Sequence, residues 1–494
     1  MSRESLLVFS DVHLGSDLND RGVSPRRSQR IDQDLVVFLR HYGATKPTGD
    51  RWRVVIAGDF IDFIGMAVTP SEGEPIVTAL TAEEHAHGLG NASDHAVAKL
   101  RRVAARHGDV FDALGDLLAR GHALTLVHGN HDVDFHWDDV KDLFREIVTQ
   151  RATASSFAPA DLASPSASLR SGLTAADITA RISFEPWFFY LHNVAYIEHG
   201  HMYDPFCAVD HVMAPLSPFD PRRVTRGFSH ILLRYVVRQT RGMKEHGHET
   251  MNALDYLTFA VKLGFRGLVA VGMRFARAVV ELFRLRTEHF SLAAATLRTE
   301  HERRMQLLAE ATRLGIEKLR ALAHLQAPPL TRSISGILAS VLLDRLALGA
   351  GSAILCIVSA FLGFRHGHFW LAGGLILVAW VLVHRWLARR RQVDPAERMV
   401  LRAAEVARLL PAAFVVMGHT HAPESRAVSP NTTYINLGSW AEEEDEPEAP
   451  HYRAARTHLV IEHQSDGELR AELREWSPDG PRKYRGPSIH PPLE

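Results

Sequence analysis

The sequence predicts an α/β protein interrupted by a long helical insertion, and three observations carry that prediction. Short apolar runs ending in Gly, Asp, Asn or His recur through residues 1–210 and 411–476. Helical stretches, 33–42 and 94–119 among them, lie between several of these runs. From 221 to 410 the apolar period becomes helical, with few Gly or Pro interruptions and many Arg. Short apolar runs bounded by turn formers read as buried strands, and strands alternating with helices imply a sheet covered on both faces.

The first expected strand, 6–9, leads into Asp11-x-His13. Its apolar run is too short for a cleavable leader, so the N-terminus is expected in the cytosol. The second strand, 54–57, leads into Gly58-Asp59, and the third, 124–127, into Gly129-Asn130-His131-Asp132. A fourth, 194–197, leads into Glu198-His199-Gly200-His201, and a fifth, 414–417, into Gly418-His419-Thr420-His421. Alternating stretches at 433–437, 458–463 and 469–476 are expected to complete a second sheet. Residues 149–180, rich in Ala, Ser and Pro, read as a long loop, 442–448 as an acidic loop and 477–494 as a disordered tail.

Hydrophobic residues at 46% and charged residues at 23% of 494 exclude wholesale disorder and fibrous classes. Two cysteines exclude a disulfide scaffold and a Cys-based zinc framework. The net charge of −1 conceals a segregation. Residues 1–210 carry 19 basic and 29 acidic side chains, 211–410 carry 29 and 14, and 411–494 carry 8 and 14. A basic middle third between acidic flanks points to an anionic partner for that third, membrane or nucleic acid.

Taken singly, each polar cluster is weak: an Asp can cap a helix, and a lone His-x-His is common in a chain with 29 histidines. Five in order, each just past the carboxyl end of a strand, form a site at one sheet edge. Two Asp, one Asn and several His gathered there are costly to bury without cations. Imidazole mixed with carboxylate and amide oxygen suits Mn²⁺, Fe or Zn²⁺ better than Mg²⁺ or Ca²⁺.

The series Asp11-x-His13, Gly58-Asp59, Gly129-Asn130-His131-Asp132, His199 and Gly418-His419-x-His421, followed by Asn436-Leu437-Gly438-Ser439-Trp440, resembles the calcineurin-like metallophosphoesterases. The resemblance covers 1–210 and 411–476 and implies a four-layer αββα sandwich with a binuclear metal centre. It implies one metal on Asp11, His13, Asp59 and His421, and a second on Asp59, Asn130, His199 and His419, with Asp59 bridging. Two cations ~3.5–4 Å apart acidify a bridging water and clamp the charge of an in-line displacement at phosphorus. By the same resemblance His131 is the general acid, oriented by Asp132, and a histidine of ordinary pKa suits that task. His199 is preferred to His201 as ligand because it directly follows the strand, but the reverse stays open. His201 and Asp62 are then phosphate contacts or partners of the ligands, and His128 a further flanking residue. His85, His87, His246 and His248 read as solvated.

Two charge-free stretches, 346–364 and 366–384, stand on either side of Arg365. Nineteen residues make a helix of ~28 Å, just enough for a bilayer core of ~30 Å. Arg332, Arg345, Arg385, Arg389, Arg390 and Arg391 flank the pair, which keeps both ends and the catalytic domain on the cytosolic side. A transmembrane hairpin is expected over 346–384, with a buried hairpin in a soluble bundle as the other reading. Residues 261–286 mix apolar positions with Lys262, Arg266, Arg274, Arg277 and Arg284, which fits either an interfacial helix or one docked on its neighbours. Arg222, Arg223, Arg226, Arg234, Arg238 and Arg241 extend the basic stretch toward anionic headgroups.

The expected protein is a two-metal hydrolase of a phosphoester or pyrophosphate on a lipid-linked substrate, at the cytoplasmic face of a bacterial inner membrane. Gly-Asp59-Phe-Ile-Asp62 and Asn130-His-Asp-Val-Asp-Phe135 look most like the UDP-2,3-diacylglucosamine pyrophosphatases. The chain departs from that branch at His131, where the branch carries Arg, and in the length of its insert. A nuclease would accept the basic patch but has no need of two uncharged helices, so nucleic acid is not the expected partner. The rival of another class is a non-enzymatic membrane scaffold with a relict phosphoesterase domain.

Overall fold

The computed structural model describes residues 4–20, 29–45, 47–49, 51–155, 174–240, 253–340, 343–363, 369–390, 395–441, 456–463 and 468–486. It is a mixed α/β protein with two mixed sheets. The strands are β1 (Glu4–Phe9), β2 (Arg51–Ala57), β3 (Ala123–Val127), β4 (Ile182–Glu185), β5 (Phe188–Leu191) and β6 (Ala195–Glu198). After the helical segment come β7 (Phe414–Met417), β8 (Glu424–Ser429), β9 (Thr432–Asn436), β10 (Thr457–His463), β11 (Leu469–Ser477) and β12 (Gly480–Lys483).

One sheet runs β12-β11-β10-β1-β2-β3-β4 and the other β5-β6-β7-β9-β8. β1, β2, β3 and β4 are parallel neighbours in the first, and β6, β7 and β9 in the second. Their inner faces share one core, in which Leu6, Val8, Val55 and Val127 meet Ile197, Val416 and Ile435. Every strand that precedes a polar cluster thus delivers it to the same end of the molecule. The alternation that identified β10 and β11 does not encode a partner. These strands pair antiparallel onto β1 and each other in the first sheet, while β9 alone of the three completes the second. The expected tail is also partly ordered, since Gly480–Lys483 pairs with β11.

The helices are α1 (Gln29–Ala44), α2 (Ala82–His87), α3 (Ser93–Arg106), α4 (Gly108–Ala119), α5 (Asp138–Ala154), α6 (Ala175–Thr179) and α7 (Phe228–Leu232). They continue with α8 (Ala253–His289), α9 (Ala293–Thr312), α10 (Ile316–His324), α11 (Ile334–Ser340), α12 (Leu343–Gly363), α13 (Phe369–Arg390) and α14 (Ala396–Leu409). The single helix expected over 94–119 breaks at His107-Gly108, and the loop expected from 149 begins only after α5. Residues of α1, α3, α4 and α5 cover the outer face of the seven-stranded sheet. Met305 of α9, Leu319 and Leu322 of α10, and Met399, Ala403 and Val406 of α14 cover the outer face of the five-stranded sheet. The insertion therefore supplies part of the core.

Phe38, fully buried, has its ring within 4.7–5.5 Å of Phe9, Tyr42, Trp440, His458 and Trp476. It ties the N-terminal helix to strands more than 400 residues away. Phe38→Ala is expected to destabilise the protein by about 3–5 kcal/mol, read from urea unfolding followed by tryptophan fluorescence.

The basic insertion divides into three behaviours. Arg223 forms a bidentate pair with Glu84 at 2.8 and 3.0 Å, Arg234 bonds Glu83 and the carbonyl of Leu89, and Arg238 lies 2.9 Å from Asp62. Arg226 faces Glu83 and Glu281. These arginines, expected to face lipid, turn instead onto the acidic first segment, because opposite charges buried together offset the cost of leaving water. Arg222 pairs with Asp220 at the surface, and Arg241 lies outside the described residues. The second half of α8 is docked, with Ala278, Leu282 and Leu285 packed against Phe228, Ile231 and Ile337. Arg266, Arg277 and Arg284 stay exposed.

α12 and α13 pack on one another, and no described side chain of either is buried. Ile354, Ile357, Phe361, Trp370, Leu375 and Leu382 are all more than half exposed. In α13 the window Trp370–Leu387 is long and apolar enough to cross a membrane; in α12 the apolar stretch Ala347–Leu362 is shorter. The expected tip at Arg365, the acidic loop 442–448 and the residues 487–494 lie outside the described residues.

Candidate metal centre

Each donor predicted from a strand end sits in one cleft between the two sheets. From the first sheet, Asp11 and His13 follow β1, Asp59 follows β2, and Asn130 and His131 follow β3. From the second, His199 follows β6, and His419 and His421 follow β7. Five of these residues have positive φ: Asp11 (56°), His13 (52°), Asp59 (54°), His419 (69°) and His421 (58°). Left-handed backbone is uncommon for non-glycine residues and clusters where geometry serves function.

His421 Nε2 lies 3.1 Å from Asp11 Oδ1, and His13 Nε2 3.7 Å from Asp59 Oδ2. Asp11, His13 and His421 can offer donor atoms all within 4.8 Å of one another, and so can Asp11, Asp59 and His199. Asp11 belongs to both groups, and Asp59, in the second, reaches toward His13 of the first. His199 Nε2 is 3.2 Å from Asp59 Oδ2 and 3.1 Å from the Asn130 amide oxygen, while its Nδ1 lies 3.0 Å from the Ala57 carbonyl. The carbonyl at Nδ1 turns Nε2 toward Asp59 and Asn130. His201 is buried with its ring 5.4 Å from that of His199.

The motif glycines serve these contacts. A Cβ on Gly129 would overlap Asp59 Oδ1, and one on Gly418 would come within 2.5 Å of Asp11 Oδ2. Gly129→Ala is expected to displace the Asp59 carboxylate and lower Mn²⁺ affinity at least as much as losing a ligand's supporting partner, ~10–100-fold, as measured by titration calorimetry.

Opposite charges in the cluster hold one another ionised against burial. Against burial, which opposes ionisation, His421 and His199 hold the Asp11 carboxyl at about 2. Against burial, which would lower it, Asp59 and Asp11 raise the His199 imidazole to about 10. Burial and the neighbouring His131 push His13 down to about 3, so it stays neutral and able to ligate. Asp11 Oδ1 is buried with the His421 imidazole beside it. Buried carboxylate, amide and imidazole donors of this kind fit a borderline divalent cation such as Mn²⁺, Fe²⁺ or Zn²⁺.

The partner of His131 differs from the expectation. Asp132 turns back to accept the backbone N–H groups of Phe60 at 2.8 Å and Gly129 at 2.6 Å, joining two loops. Burial and the Asp59 charge push its carboxyl up to about 7. It is Asp62 that meets His131 Nδ1, at 2.6 Å, and Asp62 is itself held by Arg238. One further partner escaped the sequence reading: Asp204 lies 3.0 Å from His419 Nε2. Asn436, from the stretch that follows the last motif, donates to the Gly418 carbonyl at 2.8 Å and braces that loop. Asp204 follows His201 by three residues, a proximity to the fourth cluster that could have flagged it.

The remaining histidines are ordinary. His128 is buried beside Phe135, His85 is exposed, and His87, expected in solvent, packs on the Tyr235 ring at 4.8 Å. His246 and His248 lie outside the described residues. Neither a protein-family model nor a curated protein matches this chain.

Proposed function

We propose that the chain is a two-metal hydrolase of a phosphoester or pyrophosphate bond, on the four-layer αββα frame of the calcineurin-like metallophosphoesterases. The observation that carries this reading is the convergence of seven donors from five strand ends, with Asp11 common to two donor groups and Asp59 placed between His13 and His199. One cation would be held by Asp11, His13, Asp59 and His421, the other by Asp59, Asn130, His199 and His419. Bound there, the cations would supply Lewis acidity toward phosphorus and acidify water. Asp62 holds the His131 ring at Nδ1, which leaves Nε2 to deliver a proton to the departing oxygen.

The substrate proposed is a lipid-linked phosphate, met at the cytoplasmic face of a membrane that α12 and α13 enter. In α13 the apolar window Trp370–Leu387 is long enough for the hydrocarbon core, and the shorter apolar stretch Ala347–Leu362 of α12 packs beside it. A pyrophosphate of the UDP-2,3-diacylglucosamine kind is the second reading, favoured by the Asp59–Asp62 and Asn130–Phe135 stretches. The test is a substrate panel of phosphodiesters, nucleotide pyrophosphates and phospholipids, run on detergent-solubilised protein with Mn²⁺, Zn²⁺ or Fe²⁺. Turnover of one class only with metal is expected. Stoichiometric metal binding with no turnover of any class would favour the scaffold reading.

A further inference from the structure

We propose that Arg238, carried by the helical insert, is a positioning residue for proton transfer by His131. The inference rests on the hydrolase reading, with His131 as the donor to the leaving oxygen. Arg238 lies 107 residues beyond His131 in sequence, in the stretch whose charge first suggested lipid. Its Nη2 is 2.9 Å from Asp62 Oδ2 and its Nη1 donates to the Ser16 carbonyl at 2.9 Å. The other oxygen of Asp62, Oδ1, meets His131 Nδ1 at 2.6 Å. One buried carboxylate therefore joins the guanidinium to the imidazole, and the Arg238 side chain is only 5% exposed.

Two features show that the local structure accommodates this contact. A Cβ on Gly65 would overlap both Asp62 Oδ2 and Arg238 Nη2, so only glycine leaves room for the pair. The Gly65 N–H also donates to Asp62 Oδ1 at 2.8 Å, fixing the carboxylate from a third side. Arg238 ends a π-helical turn, Leu233–Val237, and Arg234 on the same segment grips Glu83 and the carbonyls of Gly88 and Leu89. Turns of this type are frequent at functional sites. The segment is thus clamped to the catalytic face at two points, one structural and one aimed at His131. A planar fork that spans Asp62 and Ser16 together is work for Arg rather than Lys. With Asp62 unclamped, its carboxylate can rotate, and the imidazole loses the orientation that points Nε2 at the leaving oxygen.

The experiment uses full-length detergent-solubilised protein with Mn²⁺, assayed on aryl phosphodiesters whose leaving phenols range from p-nitrophenol to phenol. Poor leaving groups need the proton and good ones do not. Arg238→Met is expected to lower kcat on the phenyl ester by on the order of 10²-fold, with the p-nitrophenyl ester losing far less and KM unchanged. Arg238→Lys, which can reach Asp62 or Ser16 but not both, should recover part of the loss and serves if the Met variant misfolds. On an Asp62→Asn background, Arg238→Met should add little, because the two act as one unit. Equal losses on good and poor leaving groups, or full additivity with Asp62→Asn, would overturn the role of Arg238 while leaving the hydrolase reading intact. A wild-type protein inert toward every ester and every nucleotide pyrophosphate of the substrate panel overturns both.

Discussion

Asp59→Asn is expected to cost the protein one of two bound Mn²⁺ ions and to reduce phosphodiester turnover by more than about 10³-fold, at least the loss from removing a single charge-stabilising donor elsewhere. The substitution isolates charge from shape. Asn is isosteric with Asp and tolerates the left-handed backbone required at φ 54°. Its amide oxygen can still accept the His131 N–H, now 2.9 Å from Asp59 Oδ1. What it cannot supply is the negative charge, which is held well below the usual carboxylate range because His199 and His131 outweigh the penalty of burial. The fold should survive, and the melting temperature should change little. Metal content by atomic emission and initial rates with bis(p-nitrophenyl) phosphate check the two halves of the expectation. Two metals bound with wild-type turnover would remove Asp59 from the bridging position.

Removing 343–390 and closing the gap with a short Gly-Ser linker is expected to move the protein from the membrane fraction to the soluble one. Both flanks are anchored in the body: Ile337 of α11 is buried beside α8, and Met399 of α14 is buried on the five-stranded sheet. Between them α12 and α13 expose an apolar surface far larger than the patches soluble monomers show, and water-exposed apolar area costs about 25 cal/mol per Å². Metal-dependent turnover of a soluble diester should persist, since the donors lie outside the deleted span. Cys356 offers an independent reading. It is exposed on α12, whereas Cys207 is buried. In vesicles a charged maleimide should fail to label Cys356 until detergent is added. Full-length protein that is soluble without detergent would leave the hairpin as a surface for another copy or another protein.

Much of the cleft was legible in the sequence because its signals are local. A buried strand ending in a turn must leave its next residues at the sheet edge, so Asp11, Asp59, Asn130, His199 and His419 could be placed before any pairing was known. Pairing was not legible. Period-two alternation tells which face a residue takes, not which strand lies beside it, and β10 and β11 therefore joined β1 rather than the second sheet. The helices α9, α10 and α14 look like insertion by sequence position, yet their apolar faces finish the core of the five-stranded sheet.

By itself the sequence determined the donor types, their order and the strand ends that carry them, since those follow from residue identity and short-range periodicity. Only the tertiary structure decided what each charge faces. Asp132 is adjacent to His131 in sequence and Asp62 is 69 residues away, but the chain turns Asp132 onto backbone N–H groups and Asp62 onto the ring. Arg223, Arg226, Arg234 and Arg238 turn onto carboxylates of the first segment, while Arg266, Arg277 and Arg284 stay exposed. Electrostatic attraction depends on distance through space and on burial, and both are set by packing between segments more than a hundred residues apart.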